Sequence, residues 1–172
     1  MMVAEAVLRQ LRTRPKDAET CARLLGVLAD LPHPHLVPIV RPYLRNAAAE
    51  VRKRAIRCLA SAGPRASGWL LPWLTDDDPT VVRQTLLALA RVRPAGISQH
   101  VVSGLRASSM NLKKAAAEAL ASVGDHTAVP ALLHWLGTHD NPGFRELLVN
   151  ALKFVLGPWW TCAVMQRWRS TT

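Results

Sequence analysis

Cysteine is scarce in this chain, and its scarcity excludes two common kinds of small domain. The 172 residues include three cysteines, Cys21, Cys58 and Cys162, which lie far apart and form no Cys-X-X-Cys pair. An odd number of cysteines without such pairs indicates neither a disulfide framework nor a zinc module. Unpaired cysteines are typical of a reducing compartment, so we expect a cytoplasmic protein.

Long apolar runs are also missing. The most apolar stretch, residues 154–165, has 12 residues and is interrupted by Gly157-Pro158, whereas a membrane-spanning helix needs about 20. The first residues include Glu5 and lead into a basic amphipathic stretch, which does not resemble a secretory signal. We therefore expect no association with a membrane.

Catalytic and metal-binding motifs are absent from the sequence as well. It contains no phosphate-binding or dinucleotide-binding glycine motif, no HExxH and no GxSxG, and it has 9 glycines. His134 and His139 are five residues apart and would point in different directions from one helix. His33 and His35 have no carboxylate or thiol close by in the sequence. We predict a protein without a catalytic site, a metal or a cofactor.

Apolar residues and positive charge are what the chain has in abundance. Hydrophobic residues make up 49% and charged residues 20%, a composition that supports a sizeable core and excludes intrinsic disorder. The 22 Lys and Arg outnumber the 12 Asp and Glu, which gives a net charge of +10. Residues 1–65 alone hold 12 basic and 5 acidic residues. This excess predicts an acidic or phosphate-bearing partner.

A repeat of about 31 residues organises the sequence. Five similar segments succeed one another at steps of 31, 30, 31 and 32 residues, beginning at Thr20, Val51, Val81, Leu112 and Phe144. Within them, apolar or small residues recur at offsets 0, +4, +8 and +11, which is the pattern of a helix with one buried face. We name this predicted helix B. A second apolar segment, helix A, precedes each B helix and ends in Leu11, Leu44, Leu74, Leu105 or Leu136.

Local sequence signals mark where some of these helices start and bend. Asp78-Pro79 and Asn141-Pro142 each place a side-chain oxygen before a proline, which favours the start of a B helix. The acidic cluster Asp76-Asp77-Asp78 is therefore interpreted as a turn that caps and charges the next helix rather than as a cation site. Pro42 and Pro72 fall at the same place in helix A and predict a kink there.

These residues resemble the HEAT repeat. The resemblance lies in Asp78-Pro-Thr-Val81 and in residues 112–124, and is strongest to the short bacterial type known from phycobilisome lyases. It implies an all-α, right-handed α-solenoid in which B helices line the concave surface. We predict one domain over residues 1–172, with repeats at about 3–31, 36–63, 68–93, 97–124 and 128–157, and a C-terminal helix at 159–170. Such repeats serve mostly as binding surfaces.

Basic residues form a column at offsets +1 and +2 of the B helices. Stacked repeats lie about 10 Å apart, so this row would extend roughly 30 Å. The row could follow a phosphate backbone or meet an acidic protein, or its arginines could belong to an internal ladder of ion pairs. The candidate residues for binding a partner or phosphate are Arg52, Lys53, Arg83, Lys113, Lys114 and Arg145, with Arg54 and Arg57 thickening one end.

Tryptophans mark the C-terminal segment. The step between A-helix leucines carries on to Trp168, and Trp159 and Trp160 precede it at the start of the same segment. This pattern predicts the A helix of a sixth, incomplete repeat. Its tryptophans would either close the last repeat or form an interface with another copy or a larger complex.

We therefore predict a non-catalytic scaffold that mediates protein–protein interaction through its concave surface and C-terminal helix. A nucleic-acid-binding repeat protein is the alternative. A HEAT-like DNA glycosylase is a more distant one, because those enzymes rely on an acidic residue and aromatics in a concave cleft. Here the tryptophans fall mostly on predicted A helices or in the C-terminal segment.

Overall fold

The structure is a computed structural model that describes residues 2–31, 33 and 35–160. All secondary structure in these residues is α-helix or 3₁₀-helix, and they contain no strand. The chain divides into two compact units, unit 1 (Met1–Pro94) and unit 2 (Ala95–Thr172). The all-helical prediction is confirmed, and the prediction of a single domain stays a prediction.

Unit 1 consists of three helical hairpins. Helices α2, α4 and α6 pack side by side and correspond to the predicted B helices, while α1, α3 and α5 correspond to the A helices. We call the surfaces that these two sets present the B face and the A face. The helices are α1 (Met2–Arg12), α2 (Ala18–Leu28), α3 (Leu36–Val40), α4 (Ala49–Ser61), α5 (Ser67–Leu70) and α6 (Pro79–Val92), with 3₁₀ segments at Arg41–Arg45, Pro64–Ala66 and Leu71–Thr75.

Unit 2 contains two further hairpins within the described residues. Helix α8 packs against α7 and α10, and α9 packs against α10. The helices are α7 (Ser98–Ser103), α8 (Met110–Val123), α9 (Val129–Thr138) and α10 (Pro142–Leu156), with 3₁₀ segments at Gly104–Arg106 and His126–Ala128. No helix among the described residues of either unit is long and apolar enough to cross a membrane.

Side-chain caps begin the B helices α6 and α10, as predicted. The Asp78 carboxylate accepts a hydrogen bond from the Thr80 amide at 2.8 Å, and Asn141 Oδ1 accepts one from the Phe144 amide at 2.9 Å. Hydrogen bonds from Thr80 lower the pKa of Asp78. Because proline follows each cap at the first helical position, where an amide donor would have no partner, these starts cost no internal hydrogen bond.

Proline interrupts the A helices of the second and third hairpins. At Pro42 and Pro72 the α-helix gives way to a 3₁₀ segment, because proline lacks the amide donor of an i to i−4 bond and its ring crowds the preceding turn. The predicted kinks are confirmed. As a consequence, α3 and α5 are short, with 5 and 4 residues.

The predicted stripes of the B helices form the core. Val51, Ala55 and Leu59 of α4 are fully buried, as are Val81 and Leu89 of α6. Thr85, the polar member of the α6 stripe, is buried too, and its hydroxyl donates to the Val81 carbonyl at 2.9 Å. This bond within the helix removes the cost of burying an unpaired hydroxyl.

Two cysteines belong to this core. The Cys58 thiol donates to the Leu25 carbonyl at 2.8 Å, and burial raises its pKa from 9.0 to about 12. Burial also raises the pKa of the Cys21 thiol. Both cysteines are free, so they act here as small packing groups.

We expect Cys58 to resist alkylation in the folded protein. With a pKa of about 12, roughly one thiol in 10⁴ is ionised at about pH 8, and the thiolate is the reactive form. Iodoacetamide labelling followed by peptide mass spectrometry should find Cys58 unmodified in buffer and modified in concentrated urea. Rapid labelling of Cys58 in buffer would contradict its burial.

Candidate interaction surfaces

Arg52, at offset +1 of α4, is engaged in an internal ladder. Its Nε and terminal nitrogen donate to the two carboxylate oxygens of Asp76 at 2.8 Å each, and its other nitrogen donates to the carbonyls of Asn46 and Ala47 at 2.9 Å. The side chains of Arg52 and Asp76 are 14% and 4% exposed. The hydrogen bonds to Asp76 raise the pKa of Arg52. Arg52 therefore ties two successive A-to-B turns together.

The three residues of the acidic cluster, Asp76, Asp77 and Asp78, have different roles. Asp76 accepts hydrogen bonds from the Arg52 guanidinium and another from the Asp78 amide at 2.8 Å. Asp78 caps α6. Asp77 is exposed, with no ion pair among the described residues. The interpretation of this cluster as a capping turn is confirmed, and its further role as the acceptor of the arginine ladder comes from the structure.

Arg145, at the same offset in α10, has a related role. Its guanidinium donates to the carbonyls of Leu136 and His139 in the preceding turn. Lys113, at this offset in α8, instead places its ammonium 4.0 Å from the centre of the Trp135 ring. Such a cation–π contact stabilises the pair by about 0.5–1 kcal/mol at exposed sites. Each offset +1 cation is thus held by a contact within its own unit.

Lys53 of the row, and Arg54 and Arg57 that thicken its N-terminal end, face acidic neighbours. Lys53 and Arg54 both donate to Glu50, at 2.6 and 2.8 Å. Both hydrogen bonds lower the pKa of Glu50, and the bond from Lys53 has the larger effect. Arg57 lies 3.5 Å from Asp30. All these pairs are solvated, so they contribute little to stability and reduce the local positive charge.

Arg83 and Lys114 differ from the other predicted residues. Arg83 is exposed on α6 and has no hydrogen bond or ion pair with any described residue. Lys114 is half-buried, and its ammonium lies so close to Gly143 that a Cβ there would be 3.2 Å from it. These two offset +2 cations, one in each unit, are the members of the predicted row that remain available to a partner.

A shallow groove of about 590 Å³ lies on the B face of unit 1. Its floor consists of Ala22, Gly26 and Val27 of α2, and Val27 is 47% exposed. Arg54 of α4 reaches over Gly26, where a Cβ would lie 3.4 Å from its guanidinium nitrogen. The rim is charged, with Glu19, Arg23 and Glu50 beside Arg54. An apolar floor inside a charged rim is typical of protein-binding sites.

A second groove, on the A face of unit 1, was not predicted from the sequence. It has a volume of about 460 Å³ and lies between the proline-interrupted A helices. Trp69 and Trp73 contribute aromatic surface, and Arg41 and Arg45 contribute charge. The sequence did contain a signal for this groove. Pro42 and Pro72 occupy matching positions in two successive A helices, and each proline shortens its helix.

The C-terminal tryptophans are described only in part. Trp159 is 74% exposed, and Trp160 donates its amide to the Gly157 carbonyl at 3.1 Å. Trp168 and the remainder of the predicted helix at 159–170 lie outside the described residues. Within the range that the structure covers, no group of three or more His, Cys, Asp or Glu side chains is placed to hold a metal ion.

Comparison with known proteins identifies the class of protein. The family model for HEAT repeats matches residues 5–90 and 67–153, and the chain belongs to that family. Repeat scaffolds of this kind are generally non-enzymatic and present extended binding surfaces. The phycobilisome-lyase subtype stays a prediction. No curated protein matches the chain in sequence.

Solved structures show the same fold. An engineered protein solved by the Northeast Structural Genomics Consortium is 22% identical, with a TM-score of 0.64, and the match covers 88% of this chain and 78% of that one. A designed armadillo repeat protein in complex with the peptide (KR)4 is 18% identical, with a TM-score of 0.64 and coverage of 86% and 80%. A second engineered protein from the same consortium is 23% identical, with a TM-score of 0.63 and coverage of 88% and 47%. The prediction of a helical repeat solenoid is confirmed.

Proposed function

We propose that this chain is a non-catalytic scaffold that binds an acidic partner protein through the B face of unit 1, with a second contact through its C-terminal helix. The groove over Ala22, Gly26 and Val27 carries the proposal. Its apolar floor, on which Val27 is 47% exposed, lies inside a charged rim, as is typical of protein-binding sites. The exposure of Trp159 supports the second contact, since tryptophan is enriched among interface anchors.

The charge of the B face supports an acidic partner. Five basic residues on α2, α4 and α6, namely Arg23, Lys53, Arg54, Arg57 and Arg83, outnumber the acidic Glu19, Asp30 and Glu50 on or beside these helices, and the whole chain carries +10. The designed armadillo protein of similar fold holds a basic peptide. This chain is itself positively charged, so carboxylates on its partner would complement its charge and speed association.

The test is capture of partners on the immobilised full chain, after nuclease treatment of the extract. We expect Val27→Asp to lose a protein that the unaltered chain retains, because a carboxylate on the groove floor repels an acidic partner and is costly to desolvate. Leu133→Asp is the matched control, since Leu133 is 52% exposed on α9 of unit 2. Equal retention by Val27→Asp and the unaltered chain would contradict binding at this groove.

Nucleic-acid binding is the second candidate, favoured by the availability of Arg83 and Lys114. A salt titration with fluorescent DNA and RNA separates it from the scaffold role. If the chain binds an acidic protein, we expect weak oligonucleotide binding that Lys53→Glu/Arg83→Glu/Lys114→Glu leaves unchanged. If it binds phosphates, affinity falls steeply with salt, and the log–log slope becomes shallower by about one for each contacting side chain removed. Because Lys53 is paired with Glu50, most of that change should come from the other two residues.

A further inference from the structure

The A-face groove of unit 1 exists because two A helices are interrupted at the same place. Pro42 and Pro72 convert each helix to a 3₁₀ segment after one turn or slightly more. Both helices pack against α4, and the space between them opens to solvent. The proline rings and Trp69, which is 37% exposed, give this space apolar walls. Prolines also leave fewer backbone donors there to be satisfied by water.

The cations of the groove have no ion pair with any residue that the structure describes, and Arg41 is held in place by an aromatic ring. The Arg41 guanidinium lies 3.9 Å from the centre of the Trp69 ring. Stacking in this way uses the flat face of the guanidinium and leaves its edge N–H groups free for an acceptor. Arg45, one helical turn further on, is exposed and has no acidic partner among the described residues. The groove has no acidic lining residue.

The groove continues into a second depression of about 400 Å³. The two share Arg45, Pro72 and Trp73, and the second ends at Asp76 and Asp77. Asp76 is occupied by Arg52, while Asp77 is exposed. A continuous channel with cations at one end and a carboxylate at the other suits an extended occupant better than a compact one.

We propose that this channel binds an extended acidic segment of a partner protein, with carboxylates at Arg41 and Arg45 and apolar side chains against Trp69 and Pro72. Trp and Arg are the residues most enriched at the energetic centres of interfaces. Bidentate pairing of a guanidinium with a carboxylate adds orientation. This site is on the face opposite to the one assigned above, so it is independent of the scaffold function proposed for the B face.

Two other occupants fit the channel less well. A nucleic acid would stack bases on open aromatic faces, but Arg41 already covers one face of Trp69. A second copy of this chain offers few acidic segments, with 12 Asp and Glu in total. Two residues of its densest cluster, Asp76 and Asp78, are engaged within their own unit.

The experiment is selection from a displayed library of random peptides of about ten residues, which reach at most about 35 Å when extended. The immobilised full chain should enrich peptides with Asp or Glu next to proline or large apolar residues. An enriched peptide, labelled with fluorescein, should bind Arg45→Glu and Trp69→Ala at least about tenfold more weakly than the unaltered chain. Arg106→Glu, the same charge change at an exposed arginine of unit 2 to which no binding role is assigned, should bind it within about twofold.

Each other outcome overturns the proposal. It fails if no acidic peptides are enriched, or if Arg45→Glu and Arg106→Glu weaken binding equally, because long-range charge alone would then explain the affinity. It also fails if single-stranded oligothymidine binds with higher affinity than the peptides and Arg45→Glu abolishes that binding, which would assign the channel to nucleic acid. Far-UV circular dichroism and a urea midpoint for Trp69→Ala and Arg45→Glu ensure that weaker binding reflects the channel and not unfolding.

Discussion

Replacing Leu89 by alanine is expected to lower the free energy of unfolding by about 2–5 kcal/mol. Leu89 is fully buried in α6, which packs against α4 and α5 in unit 1. Truncation removes its transfer free energy and leaves a cavity that rigid neighbouring helices fill incompletely. Leu120, fully buried in α8 of unit 2, should show a loss in the same range. Equilibrium unfolding in urea followed by circular dichroism measures both.

Leu133→Ala is the control for this prediction. It makes the same chemical change at a leucine that is 52% exposed, so it should alter stability by less than about 0.5 kcal/mol. If all three leucines gave the same small loss, the stripes of the B helices would not form the core.

Asp76→Ala is expected to lower the free energy of unfolding by about 2–4 kcal/mol, because it leaves the Arg52 guanidinium without its counter-ion in a site where little water reaches it. It also removes the acceptor for the Asp78 amide. Urea denaturation of the purified variant checks the value. We expect the double variant Arg52→Met/Asp76→Leu to recover part of the loss, since it removes both charges together.

Asp77→Ala is the matched control for the ladder. It removes an adjacent carboxylate of the same type, which is exposed and forms no ion pair with any residue that the structure describes. Its effect should stay within about 0.5 kcal/mol. A loss at Asp77 as large as at Asp76 would show that the cluster acts through its total charge near the helix start and not through the contact with Arg52.

The local features of the fold could be predicted because they depend on neighbours in the sequence. The stripe of Val51, Ala55 and Leu59 follows from the 3.6-residue period of a helix. The caps at Asp78 and Asn141 involve donors two or three residues away. The bends at Pro42 and Pro72 follow from the chemistry of proline itself. None of these required knowledge of how one hairpin packs on the next.

The candidate site could be predicted only in part. The sequence places the cations at offsets +1 and +2 in one column, and a column of that kind is equally consistent with a ladder and with a binding row. Arg52 is paired with a residue 24 positions later, and Lys53 and Arg54 share the single carboxylate of Glu50 in their own helix. Among the described residues, only Arg83 and Lys114 of this row are left available. The Glu50 pairs follow from helical spacing, whereas the Arg52–Asp76 pair depends on how one hairpin packs on the next.

By itself, the sequence determined the helical repeat, its period and the ends and bends of its helices, because these arise from interactions over a few residues. Only the tertiary structure decided which charges are paired between hairpins and where grooves open. Arg41 and Trp69 are 28 positions apart, and they meet because two hairpins stack at a distance set by their cores. Pairing and concavity are properties of that stacking, so they cannot be deduced from any single repeat.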